Sequence, residues 1–195
     1  MKWLDEFEKK ERFEELSNRF GTIPGWTPDE VGYALYCCAK YLEVEGECVE
    51  IGSWKGRSTC WIAEGNFVTA VDTFDGGEML KDEANGSTFD EFIKNIESRG
   101  LFDKVKAIKW DSVYTGKWWN APVKMLFIDG NHTYEGLKKD WEEWRKHLVN
   151  GAVVFFDDVG GNYAGAQRYF EEQNFNVILT IGNMKAIVYE NIHGQ

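Results

Sequence analysis

The sequence predicts an α/β fold: a doubly wound, mostly parallel sheet of seven strands that ends in an antiparallel hairpin and is preceded by helices. Three observations lead to this prediction. Short apolar runs alternate with amphipathic stretches from residue 45 onward, as in a parallel sheet covered by helices on both faces. The run Val123–Ile128 is apolar along almost its whole length, as in a central strand buried on both sides. The last two runs flank Gly182-Asn183, a pair suited to a two-residue hairpin turn.

The first part of the chain is predicted to be helical. One helix is expected over Leu4–Phe20 and a second over Thr27–Leu42, where Thr27 would be the N-cap and Pro28 would occupy the first turn. We expect one domain, with residues 1–44 as an N-terminal helical cap and residues 45–195 as a cofactor-binding core. The cap either covers the site or pairs two subunits in a homo-oligomer.

The core is predicted to alternate strands and helices. A capping box at Thr88-Phe89-Asp90-Glu91 begins a helix that ends near Gly100, and a longer helix runs from about Tyr134 to Asn150-Gly151. The irregular stretch Thr73–Ser87 is expected to form a mobile loop over a site. The seven predicted strands are Cys48–Ile51, Phe67–Val71, Val105–Ile108, Val123–Ile128, Ala152–Phe156, Val177–Ile181 and Ala186–Tyr189.

Charge and cysteine usage narrow the classes of partner. The formal net charge of −11 in 195 residues opposes binding to nucleic acid or to an anionic membrane. No apolar run approaches the roughly 18 residues of a membrane span. Cys37, Cys38, Cys48 and Cys60 contain no CxxC pair, so we interpret them as reduced core residues in a cytoplasmic protein. A small molecule is the expected ligand.

A glycine-containing loop follows the first predicted strand. Ligands of parallel sheets collect beyond the carboxyl ends of the strands, and glycines let the backbone approach them closely. Asp72 ends the second strand, twenty residues after Gly52, a spacing at which an acidic side chain binds a ribose. The pattern indicates an adenosine-containing cofactor. The loop, which we predict to be cofactor-binding together with Asp72, includes Glu50, Gly52, Ser53, Trp54, Gly56 and Ser58.

The loop has three other interpretations. A Walker loop would need one more residue between Gly52 and Gly56 and a Lys where Arg57 stands. A dinucleotide fingerprint has a glycine where this chain has Trp54, which disfavours NAD without excluding it. The loop also suits a plain tight turn around a buried Trp54.

An acidic cluster is predicted at the ends of the fourth and fifth strands. Asp129 ends the fourth strand, His132 follows it, and Asp157-Asp158 end the fifth. Carboxylates at close range raise one another's pKa, and a divalent cation removes that conflict. Oxygen ligands favour Mg²⁺, Ca²⁺ or Mn²⁺, so Asp129, Asp157 and Asp158 are predicted metal ligands. Asp129 is also predicted to be catalytic and to contact the cofactor. The alternative is that Asp157 and Asp158 only cap a helix or face solvent. His132 is the predicted general base because its ordinary pKa of about 6.5 suits proton removal.

These motifs together resemble a known enzyme superfamily. The run from Val49 to Ala63, with Val71-Asp72 and the segment Phe127–His132, is similar to class I S-adenosylmethionine-dependent methyltransferases with a Rossmann-like fold. Within that superfamily, the small-molecule O-methyltransferases of the catechol and macrocin types are most similar. The resemblance covers about Glu45 to Glu190.

The resemblance implies a role for each site residue. Glu50, Gly52 and Gly56 would shape the cofactor loop, Trp54 would lie near the methionine part and Ser58 would meet its carboxylate. Asp72 would bind the ribose, and Asp111-Ser112 would border the adenine. In metal-dependent catechol-type enzymes a lysine base would fall at His132, metal carboxylates at Asp129 and Asp157, and an asparagine ligand at Asp158.

The sequence therefore predicts an S-adenosylmethionine-dependent O-methyltransferase that acts on a small hydroxylated molecule with the help of a divalent metal, Mg²⁺ being favoured. Two alternatives stay open. One is an NAD-type Rossmann oxidoreductase. The other is a non-catalytic protein of the same fold that binds partners through its N-terminal helices and the pair Trp118-Trp119, whose role the sequence leaves open.

Overall fold

A computed structural model of the chain describes residues 1–76, 82–161 and 163–190. Part of the predicted loop over residues 73–87, namely residues 77–81, lies outside the described residues. Among the helices within the described ranges, none is both long and apolar enough to span a membrane.

Three helices precede the sheet: α1 (Lys2–Lys9), α2 (Phe13–Phe20) and α3 (Asp29–Tyr41). The prediction of one continuous helix up to Phe20 was wrong, because Lys10 has left-handed backbone angles (φ 52°) that end α1. The predicted N-cap of α3 was also wrong. The helix begins at Asp29, and the extended residue before it is Pro28.

The predicted sheet is confirmed. Its seven strands are ordered β3-β2-β1-β4-β5-β7-β6, and only the pairs β5·β7 and β6·β7 are antiparallel. This is the Rossmann-like, doubly wound topology with a terminal hairpin. The strands are β1 (Glu47–Ile51), β2 (Val68–Asp72), β3 (Val105–Lys109), β4 (Val123–Ile128), β5 (Leu148–Phe156), β6 (Val177–Ile181) and β7 (Met184–Val188).

Helices between the strands cover both faces of the sheet. They are α4 (Arg57–Gly65), α5 (Phe89–Ser98), α6 (Ser112–Trp118), α7 (Tyr134–Trp144) and α8 (Ala164–Glu172). Short 3₁₀ turns occupy Phe102–Lys104 and Arg145–His147. Helices α6 and α8 were not predicted, because neither carries a long amphipathic repeat.

Two buried clusters fill the space on either side of the sheet. Alternate strand residues enter opposite clusters, so that Phe155 packs with α1–α5 and Phe156 packs with α7 and α8. The N-terminal helices belong to the first cluster: the ring of Trp3 lies 5.7 Å from that of Phe155, and Phe20 lies 5.3 Å from Trp61. All four cysteines are free and buried.

Two predicted details of the core differ from the structure. The helix from Tyr134 ends at Trp144, and Leu148 begins β5 because it pairs with Val123 of β4. The capping box at Thr88 does not form. The Thr88 hydroxyl instead donates to the backbone oxygen of Trp54 at 3.2 Å and ties α5 to the loop after β1.

Candidate active site

A cavity of about 920 Å³ opens at the carboxyl ends of the parallel strands. Backbone hydrogen bonds between neighbouring segments continue for one residue beyond the strand ends. The backbone N–H of Gly52 donates to Val71 at 3.0 Å, that of Asp129 donates to Ile51 at 2.9 Å, and that of Asp157 donates to Ile128 at 3.0 Å. The polar residues that follow each strand therefore meet at one edge, as the sequence predicted.

The loop between β1 and α4 requires glycine at its first position. Gly52 has a φ of +85°, and a Cβ there would lie 2.0 Å from the backbone oxygen of Asp129. Gly56, with a φ of +87°, precedes the first residue of α4. Gly52 lets the loop fold tightly against the end of β4, and Gly56 lets it approach Phe92 and Ile96 of α5.

Glu50 lies beneath this loop and does not line the cavity. Its side chain is 0% exposed and accepts a hydrogen bond from the Thr59 hydroxyl of α4. Burial raises the pKa of Glu50 to about 7. The structure thus places Glu50 as a support of the loop. Ser53 and Ser58 are buried residues of the cavity lining, and the Ser53 hydroxyl has no hydrogen-bond partner among the described residues.

Asp72, at the end of β2, lies directly against the loop. One carboxylate oxygen accepts the backbone N–H of Trp54 at 2.7 Å, and the other accepts that of Phe74 at 2.6 Å. Burial raises the pKa of Asp72, and these backbone donors act against the rise. Asp72 lines the cavity, and its carboxylate can accept further hydrogen bonds there.

A second polar corner lies at the end of β3. Asp111 is the N-cap of α6, where its side chain accepts the N–H of Tyr114 at 2.9 Å. The Ser112 hydroxyl donates to the carboxylate of Asp140 at 2.5 Å. Asp140 belongs to α7, lines the cavity and is only 3% exposed, and burial raises its pKa to about 6.

Sequence reasoning missed Asp140, although a signal was present. The buried face of α7 contains Leu137, Trp141 and Trp144, and Asp140 lies three residues after the first and four before the last. A charged residue at an inward-facing helical position is expensive unless it has a partner or a function. That position alone marks Asp140 as a candidate site residue.

The predicted acidic cluster forms around His132. The Nε2 atom of His132 lies 3.8 Å from an oxygen of Asp129 and 3.5 Å from an oxygen of Asp158. These three side chains offer ligand atoms that all lie within 4.8 Å of one another. Asp157 also lines the cavity, and its carboxylate accepts the backbone N–H of Asp158 at 3.0 Å.

The acids of this cluster disfavour one another's ionised forms. Burial raises the pKa of Asp129 well above its ordinary value, and neighbouring Asp157 and Asp158 raise it further. Burial and Asp158 raise the pKa of Asp157 to about 6. Burial lowers the pKa of His132, while Asp158 acts in the opposite direction. The centroid of the Tyr163 ring lies 4.5 Å from that of the His132 imidazole, so the two rings are in contact.

The N-terminal segment forms part of the cavity wall. The sequence did not show which of its residues would do so. Trp26 is 62% exposed, lines the cavity and lies 5.5 Å from the ring of Trp54. Arg57 of α4 holds this segment by donating to the backbone oxygens of Ile23 and Gly25, both at 3.3 Å. The sequence left the role of Trp118-Trp119 open. In the structure, Trp119 packs on Trp144, whereas Trp118 is 87% exposed.

Comparison with known proteins places the chain among methyltransferases. A family model described as "Methyltransferase domain" matches residues 49–159. The fold is shared with the O-methyltransferase NovP, at a TM-score of 0.69 and 16% identity, over 82% of this chain and 79% of that one. An O-methyltransferase from Bacillus cereus in complex with SAH has a TM-score of 0.61 and 21% identity, over 91% and 90% of the two chains.

A third structure has the same fold. TomG from Streptomyces achromogenes, an O-methyltransferase involved in tomaymycin synthesis and solved in complex with SAM, gives a TM-score of 0.58 at 18% identity, over 93% of this chain and 88% of that one. The family match speaks against the oxidoreductase alternative. Because the matched segment spans more than half of the sequence, the chain belongs to the methyltransferase domain family.

Proposed function

We propose that the protein is an S-adenosylmethionine-dependent O-methyltransferase that acts on a small hydroxylated molecule with the help of a divalent cation. The observation that carries this proposal is the division of one cavity into two parts. Gly52 and Asp72 form the first part, and His132 with Asp129 and Asp158 forms the second. Two proteins with the same fold, the Bacillus cereus O-methyltransferase and TomG, were solved in complex with SAH and SAM.

The residues of the first part fit the cofactor. Asp72 retains a lone pair on each carboxylate oxygen and would accept hydrogen bonds from the two ribose hydroxyls. The buried Ser53 hydroxyl, which has no partner among the described residues, would bind the cofactor together with Ser58. Trp54 would lie along the methionine part, and Asp111 with Ser112 would border the adenine.

The residues of the second part fit a divalent cation. The carboxylates of Asp129, Asp157 and Asp158 lie in one buried corner without a compensating positive side chain among the described neighbours. Carboxylate oxygens are the donors that Mg²⁺ and Mn²⁺ prefer. A bound cation would remove the repulsion between these acids and lower the pKa of an acceptor hydroxyl.

His132 would remove the proton of that hydroxyl. Burial lowers its pKa, so the imidazole is neutral near pH 7 and one of its ring nitrogens has a lone pair for the proton. Bound S-adenosylmethionine would supply the methyl group: an O–CH₃ bond to the acceptor would form as the S–CH₃ bond breaks, which would leave S-adenosylhomocysteine. His132 would keep the proton, and the carboxylate of Asp158 at 3.5 Å would stabilise the imidazolium.

Calorimetry and a labelled-methyl assay test the proposal. S-adenosylhomocysteine should bind, and methyl transfer from labelled S-adenosylmethionine to a panel of hydroxylated compounds should require Mg²⁺ or Mn²⁺. His132→Ala should lose at least 100-fold in turnover with unchanged S-adenosylhomocysteine affinity. Absence of binding would refute the cofactor assignment. Full activity in excess chelator would refute the metal, and an unaffected His132→Ala enzyme would refute the base.

A further inference from the structure

The face of the sheet beside β3 is only partly covered by its helix. β3 is the outermost strand of the described sheet and spans five residues, about 16 Å, whereas α6 spans seven residues, about 10 Å. A groove of about 330 Å³ remains between the strand and the helix. Its lining comes mainly from β3, from α6 and from the residues at either end of that helix: Lys106, Ile108, Trp110, Tyr114, Trp118 and Trp119.

Three large aromatic side chains around this groove face solvent. Trp118 is 87% exposed, Trp110 is 63% exposed and Tyr114 is 57% exposed. Neither Tyr114 nor Trp118 lines the cavity at the strand ends, so the proposed methyl transfer does not explain their exposure. Exposed aromatic side chains that cluster around a groove are typical of a surface that another protein covers.

The charged side chains at this face are balanced. Lys106 and Glu47 line the groove, and Asp111 and Lys117 lie at the two ends of α6. The whole chain carries a net charge of −11, and two copies that meet at a balanced face bring none of that excess into contact. Nucleic acid would instead require an excess of basic side chains. The charge pattern therefore favours a second copy of this chain.

We propose that two copies of the chain dock on each other through this face, with Trp118 of each copy in the groove of the other. A symmetric contact requires a surface that is complementary to itself. This face carries both the projecting tryptophan and the groove, together with both signs of charge. Tryptophan is among the side chains that contribute most to an interface when a pocket encloses it.

The contact is assigned to the groove and not to the backbone of β3 or to the N-terminal cap. Lys106 and Lys109 lie on this outermost strand, and lysines at such positions prevent strand edges from pairing. Ile108 belongs to the buried cluster on one side of the sheet, whereas the cap helices α1–α3 pack on the other side. The contact is therefore distinct from the cap-mediated pairing that the sequence left open.

Trp110 connects this face to the cavity at the strand ends. It lines both the groove and that cavity, and it directly precedes Asp111 and Ser112, which are proposed to border the adenine. A tryptophan docked in the groove would pack on Trp110 and order its exposed ring. Cofactor binding to the dimer would then cost less ordering, so dimerisation and cofactor binding should favour each other. This consequence rests on the proposed function, whereas the docking does not.

Analytical ultracentrifugation of the full chain at several concentrations tests the docking. The wild type should form a dimer with a Kd of about 100 μM or tighter. Trp118→Ala should raise this Kd at least about tenfold, because each dimer loses the side chain twice. Trp26→Ala is the matched control, since Trp26 is 62% exposed and lies outside the groove, and it should leave the Kd unchanged. Both positions are exposed, so both variants should keep the wild-type urea midpoint.

A reversal of charge gives a second measurement. Lys106→Glu makes the face acidic on both copies and should raise the dimer Kd at least about threefold. Lys139→Glu is the matched control, because it changes the net charge equally at an exposed position of α7 outside the groove. It should leave the dimer Kd unchanged.

Four outcomes would overturn the proposed docking. The first is a wild type that stays monomeric at about 100 μM. The second is a dimer that keeps its Kd in Trp118→Ala or Lys106→Glu. The third is a dimer that Trp26→Ala dissociates and Trp118→Ala does not, which would place the contact at the cap. The fourth is a monomer that binds oligothymidine through Trp118, which would assign the face to nucleic acid.

Calorimetry with S-adenosylhomocysteine tests the link through Trp110. The wild-type dimer should bind it at least about threefold more tightly than monomeric Trp118→Ala, and S-adenosylhomocysteine should in turn lower the dimer Kd of the wild type. Equal affinities would overturn the link. A dimer that binds no S-adenosylhomocysteine would support the docking and refute the proposed function. A monomer that binds it would do the reverse.

Discussion

Replacing Asp140 by Asn should stabilise the folded protein in a pH-dependent way. Asp140 is almost fully buried, and its described hydrogen bond comes from Ser112. Burial raises its pKa from an ordinary 3.8 to about 6. Asparagine has the shape of the neutral acid and can still accept the Ser112 hydrogen bond, so the substitution removes the charge and little else.

The magnitude follows from the difference in pKa. Each pKa unit corresponds to about 1.4 kcal/mol, so ionised Asp140 costs the folded state about 3 kcal/mol at pH 8. Because the folded-state pKa is the higher one, the neutral acid stabilises the wild type below pH 4, and that stability is lost as the pH rises through 6. The advantage of Asp140→Asn should therefore approach zero at pH 4 and reach about half its full value at pH 5.

Urea denaturation of the cofactor-free protein at pH 5 and pH 8 measures this effect. Glu142→Gln removes a charge from an exposed position of the same helix, α7, and should change the free energy of unfolding by no more than about 0.5 kcal/mol. If Asp140→Asn destabilises the protein equally at both pH values, the burial cost assigned to Asp140 is wrong.

Three further predictions concern other parts of the structure. Gly52→Ala should lower the free energy of unfolding by about 2–5 kcal/mol in urea, because its Cβ would clash with Asp129 at a positive φ; an unchanged midpoint would contradict this. Trp3→Ala should cost about 3–5 kcal/mol in the same assay through its packing on Phe155, and a cost below about 1 kcal/mol would mean that the cap adds little to the core. Asp158→Asn should lower the pKa of His132 further in a metal-free NMR titration, whereas a higher pKa would refute the assigned interaction.

The sequence was sufficient for features that depend on local pattern and chain topology. Buried parallel strands read as apolar runs, and the polar residues after them meet at one edge whatever the intervening helices do. Asp72, Asp129 and Asp158 were found in this way, and the structure places them around one cavity. The hairpin at Gly182 was found because a two-residue turn depends on its own residues.

Other features depend on contacts between distant segments and could not be predicted from the sequence. The wall formed by Trp26 exists because Arg57 binds the backbone of the cap segment, a contact that spans more than thirty residues. The end of α7 was misplaced because pairing of Leu148 with Val123 overrides the helical spacing. The partner of Glu50 also depends on a separate helix: its carboxylate, predicted to shape the cofactor loop, accepts a hydrogen bond from Thr59 of α4 beneath that loop.

The raised pKa values share one physical cause and one location. Burial favours the protonated form of Glu50, Asp129, Asp140 and Asp157, and all four lie in or beneath the same cavity. A fold selected for stability alone would place apolar residues at such positions, since ionised buried carboxylates oppose folding near neutral pH. The proposed cationic sulfonium cofactor and divalent cation would each offset part of this cost. The same charges therefore lower the free energy of unfolding of the ligand-free protein and favour binding of positively charged ligands over anions.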